Sequence, residues 1–279
     1  MRFVATYGDL LVGADLAEAV SLAIPLHFNG PQPNAFGITP AHAQAARAGD
    51  FIGDTRAGGS VNCETLTLSP HCNGTHTECI GHLTQERIAV HDVLLGGLWL
   101  ALVVSVTSTL ATQTTESSDL QCRPEDQLIT AQALATAVQE TLQSLGNPSL
   151  PLTALVVRTL PNSPDKLCQS YALEPSPAYF TGAAASWLVN QNIQHVIIDL
   201  PSLDRSCDAG ELTAHRQFWG VAPGSAMAGP QSRRHCTITE LAFIAPSVSD
   251  GLYLLDLQIP AFVSDAAPAR PLLYPASLI

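Results

Sequence analysis

The sequence predicts an α/β fold, and three observations carry that expectation. Segments of alternating or continuous β-branched, apolar residues recur along the chain, as strands require. Helical patterns lie between them, the alternation that builds layered α/β folds. The chain has 279 residues, 46% of them hydrophobic, enough for one large domain with a substantial core.

The first strand is expected at residues 60–68 and the second at 98–106, inside the most apolar stretch, 93–106. That stretch falls short of the ~20 residues a bilayer span needs, and it contains Gly96 and Gly97, so it reads as buried sheet. Residues 113–126, polar and threonine-rich, read as a surface connection. A helix is expected over 130–145, with Thr130 as its cap, good helix formers inside and Gly146 then Pro148 as its stop. Strands at 152–159 and 195–200 bracket a second helix over 176–190, and a last strand is expected at 253–259. The continuous apolar strands should be buried on both faces. No internal repeat is visible, so one domain over residues 1–279 is the simplest organisation.

With 24 acidic and 12 basic residues, the formal charge of −12 would repel a phosphate backbone, which disfavours nucleic acid as a partner. Seven cysteines in a chain too large to need staples read as reduced thiols. Asp9, Asp15 and Glu18 interrupt any N-terminal apolar run long enough for a signal peptide. A cytoplasmic location without membrane attachment is expected. Charged residues are only 13% of the chain, and a surface this neutral points to a homodimer or homotetramer.

The chemistry is concentrated in Ser69-Pro-His-Cys-Asn-Gly-Thr-His-Thr-Glu-Cys-Ile-Gly-His82, where three histidines, two cysteines and a glutamate share fourteen residues. Cys72, His76, Glu78 and His82 have the same parity, so in extended structure they point to one side, as converging metal ligands must. A core helix with Cys72 and His76 on one face conflicts with Asn73-Gly74, a turn signal. A cysteine-protease reading, with Cys72 or Cys79 as nucleophile, finds no support elsewhere in the chain.

Cys72-Asn-Gly-Thr-His-Thr-Glu-Cys-Ile-Gly-His82 resembles, position for position, the His-x-Gly-Thr-His-x-Asp-x-Pro-x-His motif of the cyclase or kynurenine-formamidase-like metal-dependent hydrolases. Further matches follow in order. Ile197-Ile-Asp-Leu-Pro-Ser-Leu-Asp204 is similar to that family's Asp-x-Pro-Ser-x-Asp turn, Ala214-His215-Arg216 to its Ala-His-Arg element, and Thr239-Glu240-Leu241 to its Glu-Asn-Leu segment. Residues 251–260 and 267–270 look like its last strands. Three departures touch the motif: Cys72 stands for the first histidine, Glu78 for aspartate and Ile80 for proline.

The resemblance implies a swivelling β/β/α fold and an arylformamidase-like amidohydrolase. Cys72, His76, Glu78, His215 and Glu240 would ligate a divalent metal, and His82 would be the acid/base. Thiolate softness favours zinc. His71, adjacent to Cys72, is the alternative first ligand after a one-residue backbone shift, although parity would then aim it the wrong way. Phe36 and Trp219 are candidates to line the pocket of a small-molecule substrate. His27, His42, His91, His195 and His235 read as structural or exposed, and Asp199 and Asp204 as turn-shaping. The alternative function is a binding protein of the same family that lost hydrolysis with its first histidine.

Overall fold

The computed structural model describes residues 2–116, 122–147 and 149–279. The fold is α/β, built on an 11-stranded mixed sheet. In chain order its strands are β1 (Arg2–Tyr7), β2 (Leu10–Asp15), β3 (Val20–Ser21), β4 (His76–Cys79), β5 (Leu98–Thr107), β6 (Ala154–Leu160), β7 (His195–Ile198), β8 (Thr237–Glu240), β9 (Gly251–Asp256), β10 (Ala266–Pro268) and β11 (Leu272–Leu278). Three longer helices are α1 (Ala131–Ser144), α2 (Gly182–Asn190) and α3 (Thr213–Trp219).

The middle of the sheet, β5-β6-β7-β8, is parallel. Parallel neighbours need long crossovers, and α1, α2 and α3 lie within the three that join these strands. On the β8 side, β4 and then β10 add antiparallel; on the β5 side, β9, β11, β2 and β1 do the same, with β3 on β11. The parallel strands bury both faces, as their apolar runs predict. Leu102, Val104, Leu155 and Val157 pack with Leu134, Val138 and Leu188 of the helices, while Ala101, Val103, Ala154 and Val156 pack on the opposite face with Leu22, Ile244 and Leu255. No helix among the described residues is long and apolar enough to cross a membrane.

The helix expected over 130–145 forms, and the Thr130 hydroxyl caps it by accepting from Ala133 N–H at 3.1 Å. The helix expected over 176–190 begins only at Gly182. Thr181 caps it, and Tyr179–Phe180 before it form a short strand parallel to Leu128–Ile129. The strand expected at 60–68 shortens to Glu64–Thr67 and lies outside the main sheet, in an exposed ribbon with His42–Ala45. Alternation there marks a two-stranded arm rather than a core strand. Within the polar connection at 113–126, residues 117–121 lie outside the described residues.

His195 opens β7 as a buried structural histidine. Its Nδ1 is 2.8 Å from the Thr237 hydroxyl and its ring lies 4.5 Å from that of Trp99. Burial, then the positive charges of His235 and Arg233, push its pKa down to about 4. The unfolded chain therefore binds a proton at His195 between about pH 6.5 and pH 4 that the folded chain does not, so stability is lost as pH falls through that window. Denaturant unfolding of the metal-free protein at pH 7 and pH 5 should differ by about 2 kcal/mol from this group. In His195→Gln that part of the difference should vanish.

Candidate metal centre

The strand β4 carries His76 and Glu78 two residues apart, on one face of the sheet. Its antiparallel neighbour β8 sets Glu240 opposite His76, so these three side chains converge. The intervening Thr77 faces the other way and its hydroxyl meets that of Thr239 at 2.7 Å. His215 arrives from the first turn of α3. Asp204 holds that turn by accepting from the backbone N–H of Ala214 at 2.6 Å and of His215 at 3.1 Å, and it also accepts from His215 Nδ1 at 2.5 Å. Asp204 thus shapes its turn, as expected, and in addition orients His215.

Two side-chain atoms define what the cluster lacks. His76 donates its Nδ1–H to the Gly74 carbonyl at 3.0 Å, which leaves a lone pair on Nε2. That Nε2 is buried, 3.5 Å from Glu240 Oε2, and has no hydrogen-bond partner. Glu78 Oε2 is likewise buried and unpartnered; His71 Nδ1 lies 2.9 Å away but out of line for a hydrogen bond. Glu78 Oε1 meets His215 Nε2 at 2.8 Å, and Glu240 Oε1 accepts from Leu203 N–H at 2.9 Å. Unpaired buried acceptors cost about 1–3 kcal/mol each, and a cation is the natural group to satisfy acceptors that face one another.

The charges agree with that reading. Burial opposes ionisation of Glu78, but the neighbouring His82 and His215 hold it well below the usual carboxylate range. Burial also opposes charge on His215, yet Glu78, Asp204 and Glu240 raise its pKa well above the ordinary value. Histidine protons therefore supply the positive charge that two buried carboxylates demand, and a divalent ion would supply it in their place.

Ligand atoms gather in three overlapping groups, each with its atoms within 4.8 Å of one another: His71, His76 and Glu78; Glu78, His215 and Glu240; and His71, His82 and Asp265. Five of the six residues proposed from the sequence thus meet. Cys72 does not join any group among the described residues; its Sγ accepts from the Ser69 hydroxyl at 3.7 Å. The parity argument does not apply there, because β4 begins only at His76 and residues 70–75 form turns. His71 occupies the place instead. Burial disfavours its charged form, but Asp265 and Glu78 outweigh that and raise its pKa to about 10.

Asp265 carries no metal-ligand motif in the sequence, yet it joins the cluster. Its Oδ2 lies 2.9 Å from His71 Nε2 and 3.3 Å from His82 Nδ1. His71, His82 and Asp265 form a rim with side chains 24%, 29% and 32% exposed, above a floor in which His76, Glu78, His215 and Glu240 are at most 4% exposed. His82 is therefore on the solvent side of the cluster, with the floor side chains buried beneath it. His82 closes the short 3-10 turn Ile80–His82, which requires Gly81: an added Cβ there would fall 2.1 Å from the Ile88 carbonyl oxygen. Gly81→Ala is expected to cost about 1–3 kcal/mol by overpacking, read as a lowered melting temperature.

Trp219 is fully buried, donates Nε1–H to the Cys236 carbonyl and sets its ring 5.5 Å from that of His215, so it backs the histidine from the core. Phe36, at φ 58°, packs with Ala35, Tyr171 and Leu241, the residue after Glu240. Leu241 is itself left-handed, at φ 52°. Such conformations cost of order 1 kcal/mol in non-glycine residues and concentrate at functional sites. Thr75 ties the motif to this turn, donating to the Leu241 carbonyl at 2.5 Å.

A family model, Cyclase, matches residues 15–205, more than half of the chain. The chain belongs to the Cyclase family. Solved structures of similar fold include a novel cyclase at 16% identity and TM-score 0.60, covering 93% of this chain and 89% of that one. Isatin hydrolase A from Labrenzia aggregata matches at 13% identity and TM-score 0.57, with 92% and 93% covered. A predicted metal-dependent hydrolase from Bacillus stearothermophilus matches at 15% identity and TM-score 0.53, with 92% and 97% covered. No curated protein matches the chain.

Proposed function

We propose that this cyclase-family chain is a metal-dependent hydrolase that cleaves the C–N bond of a small amide, a formamide or a cyclic amide. The observation that carries the reading is the pair of unpartnered buried atoms, His76 Nε2 and Glu78 Oε2, inside a cluster of histidines and carboxylates. The names of the similar folds, metal-dependent hydrolase and isatin hydrolase, point the same way.

His71, His76, Glu78, His215 and Glu240 would hold the ion, and three imidazoles beside two carboxylates suit zinc. When bound, a divalent cation supplies Lewis acidity, polarising a carbonyl and acidifying water. The Gly74 carbonyl and Asp204 fix the tautomers of His76 and His215, so each presents Nε2 inward. His82 on the rim takes a proton from the attacking water as its oxygen bonds the carbonyl carbon, then returns it to the nitrogen as the C–N bond breaks. Phe36 serves as an apolar wall for the substrate.

Metal analysis of the purified protein with assays on a formamide and lactam panel tests the reading. About one zinc per chain and turnover of at least one substrate is the expected result; protein that binds no divalent metal overturns it. Metal without turnover on the panel would favour a binding member of the family, the reading that Cys72 at the first-ligand position invites. We also propose that the chain forms a homodimer or homotetramer, because Phe51, Val61 and Leu66 are exposed in and between the strands that run from His42–Ala45 to Glu64–Thr67. Sedimentation of a clean 29.4 kDa species at micromolar concentration would refute that assembly.

A further inference from the structure

One oxygen of Asp265 faces two imidazoles at once. Oδ2 is 2.9 Å from His71 Nε2 and 3.3 Å from His82 Nδ1, and the two rings lie 4.3 Å apart at a 32° tilt. The carboxylate is itself held: the Ser264 hydroxyl donates to Oδ1 at 3.3 Å, and the Asp265 carbonyl accepts from Cys79 N–H at 3.0 Å, which fastens the residue to the end of β4. Asp265 opens onto β10, on the far side of β4 from Glu240. It therefore reaches the cluster independently of the other carboxylates.

A carboxylate only accepts, so each imidazole must present an N–H to it. For neutral His71 that places the proton on Nε2 and leaves the Nδ1 lone pair free beside Glu78 Oε2, 2.9 Å away and out of line with it. A ring nitrogen and a carboxylate oxygen that lie this close without bonding each other can both turn to one cation, which would take the place of the His71 proton. For His82 it places the proton on Nδ1 and leaves Nε2 as the exchanging nitrogen.

We propose that Asp265 is a positioning residue that divides the labour of the two rim histidines, presenting His71 Nδ1 to the metal and reserving His82 Nε2 for proton transfer. The assignment rests on the hydrolase reading above. It adds that the metal effect of Asp265 runs only through His71, and its rate effect at saturating metal only through His82.

The test is a pair of double-mutant cycles. Zinc affinity is measured by chelator competition, without turnover, in wild type, Asp265→Ala, His71→Ala and the double variant. Asp265→Ala alone should weaken zinc about 10–100-fold, the usual loss on removing a partner that orients a ligand, and should add less than threefold in the His71→Ala background. With zinc saturating, Asp265→Ala should lower kcat about 10–100-fold with KM within threefold, and add nothing to His82→Ala. Asp265→Asn, which keeps an acceptor, should recover part of both losses.

Multiplicative losses in either cycle, or wild-type affinity and kcat in Asp265→Ala, overturn the assignment. Should Asp265→Ala prove misfolded by circular dichroism, the same cycles run with Asp265→Asn decide it. Failure of wild type to bind zinc or to hydrolyse any substrate is a different result: it removes the hydrolase reading, and this assignment with it.

Discussion

His82→Ala is expected to keep its zinc and lose most of its turnover, about 10²–10⁴-fold in kcat, the usual contribution of a general acid/base. His76→Ala should lose both. The separation follows from where each side chain sits. His76 is on the floor, 1% exposed, its Nε2 unpartnered among Glu78, Glu240 and His71. His82 is on the rim, bonded through Nδ1 to Asp265 and 3.9 Å from Glu78. Metal content by atomic emission and kcat on the best substrate of the panel check both variants. If His82→Ala shed its zinc as readily as His76→Ala, His82 would be a ligand, and Glu78 or Glu240 would be the next candidates to move the proton.

His71→Ala should weaken zinc by at least about 100-fold, more than the loss typical of an orienting partner, whereas Cys72→Ala should stay within threefold of wild type. This reverses what the motif alignment implies, since Cys72 stands where the family has its first histidine. The reason is local backbone geometry. Turns through residues 70–75 leave the Cys72 sulfur near Ser69 and bring both His71 nitrogens to carboxylates, Glu78 and Asp265. Chelator competition on both variants decides it. A large loss in Cys72→Ala with none in His71→Ala would restore the thiolate as ligand.

How legible the centre was depended on the secondary structure beneath each residue. His76 and Glu78 lie in a strand, where parity is physical, and reading them as a converging pair needed only that strand to exist. Cys72 and His82 lie in turns, where spacing carries no direction. His215 and Glu240 became visible only through ordered matches to the family, because a lone histidine beside arginine and a lone glutamate beside leucine have no local signature. Asp265 had no such support; it is brought in by the pairing of β10 with β4, a contact between residues nearly two hundred positions apart.

The sequence by itself determined the α/β class, the buried parallel strands with their two apolar faces, the Thr130-capped helix and the segment in which the chemistry lies. Each of those follows from short-range periodicity, capping and residue type, which a linear chain displays directly. Only the tertiary structure decided that residues 60–68 contribute an exposed arm rather than a core strand, that Trp219 backs His215 from the core, that His71 rather than Cys72 enters the cluster, and that one Asp265 oxygen faces two histidines. Those outcomes depend on turn geometry and on which distant strand becomes a neighbour, and both are settled when the sheet assembles and buried polar atoms must find partners.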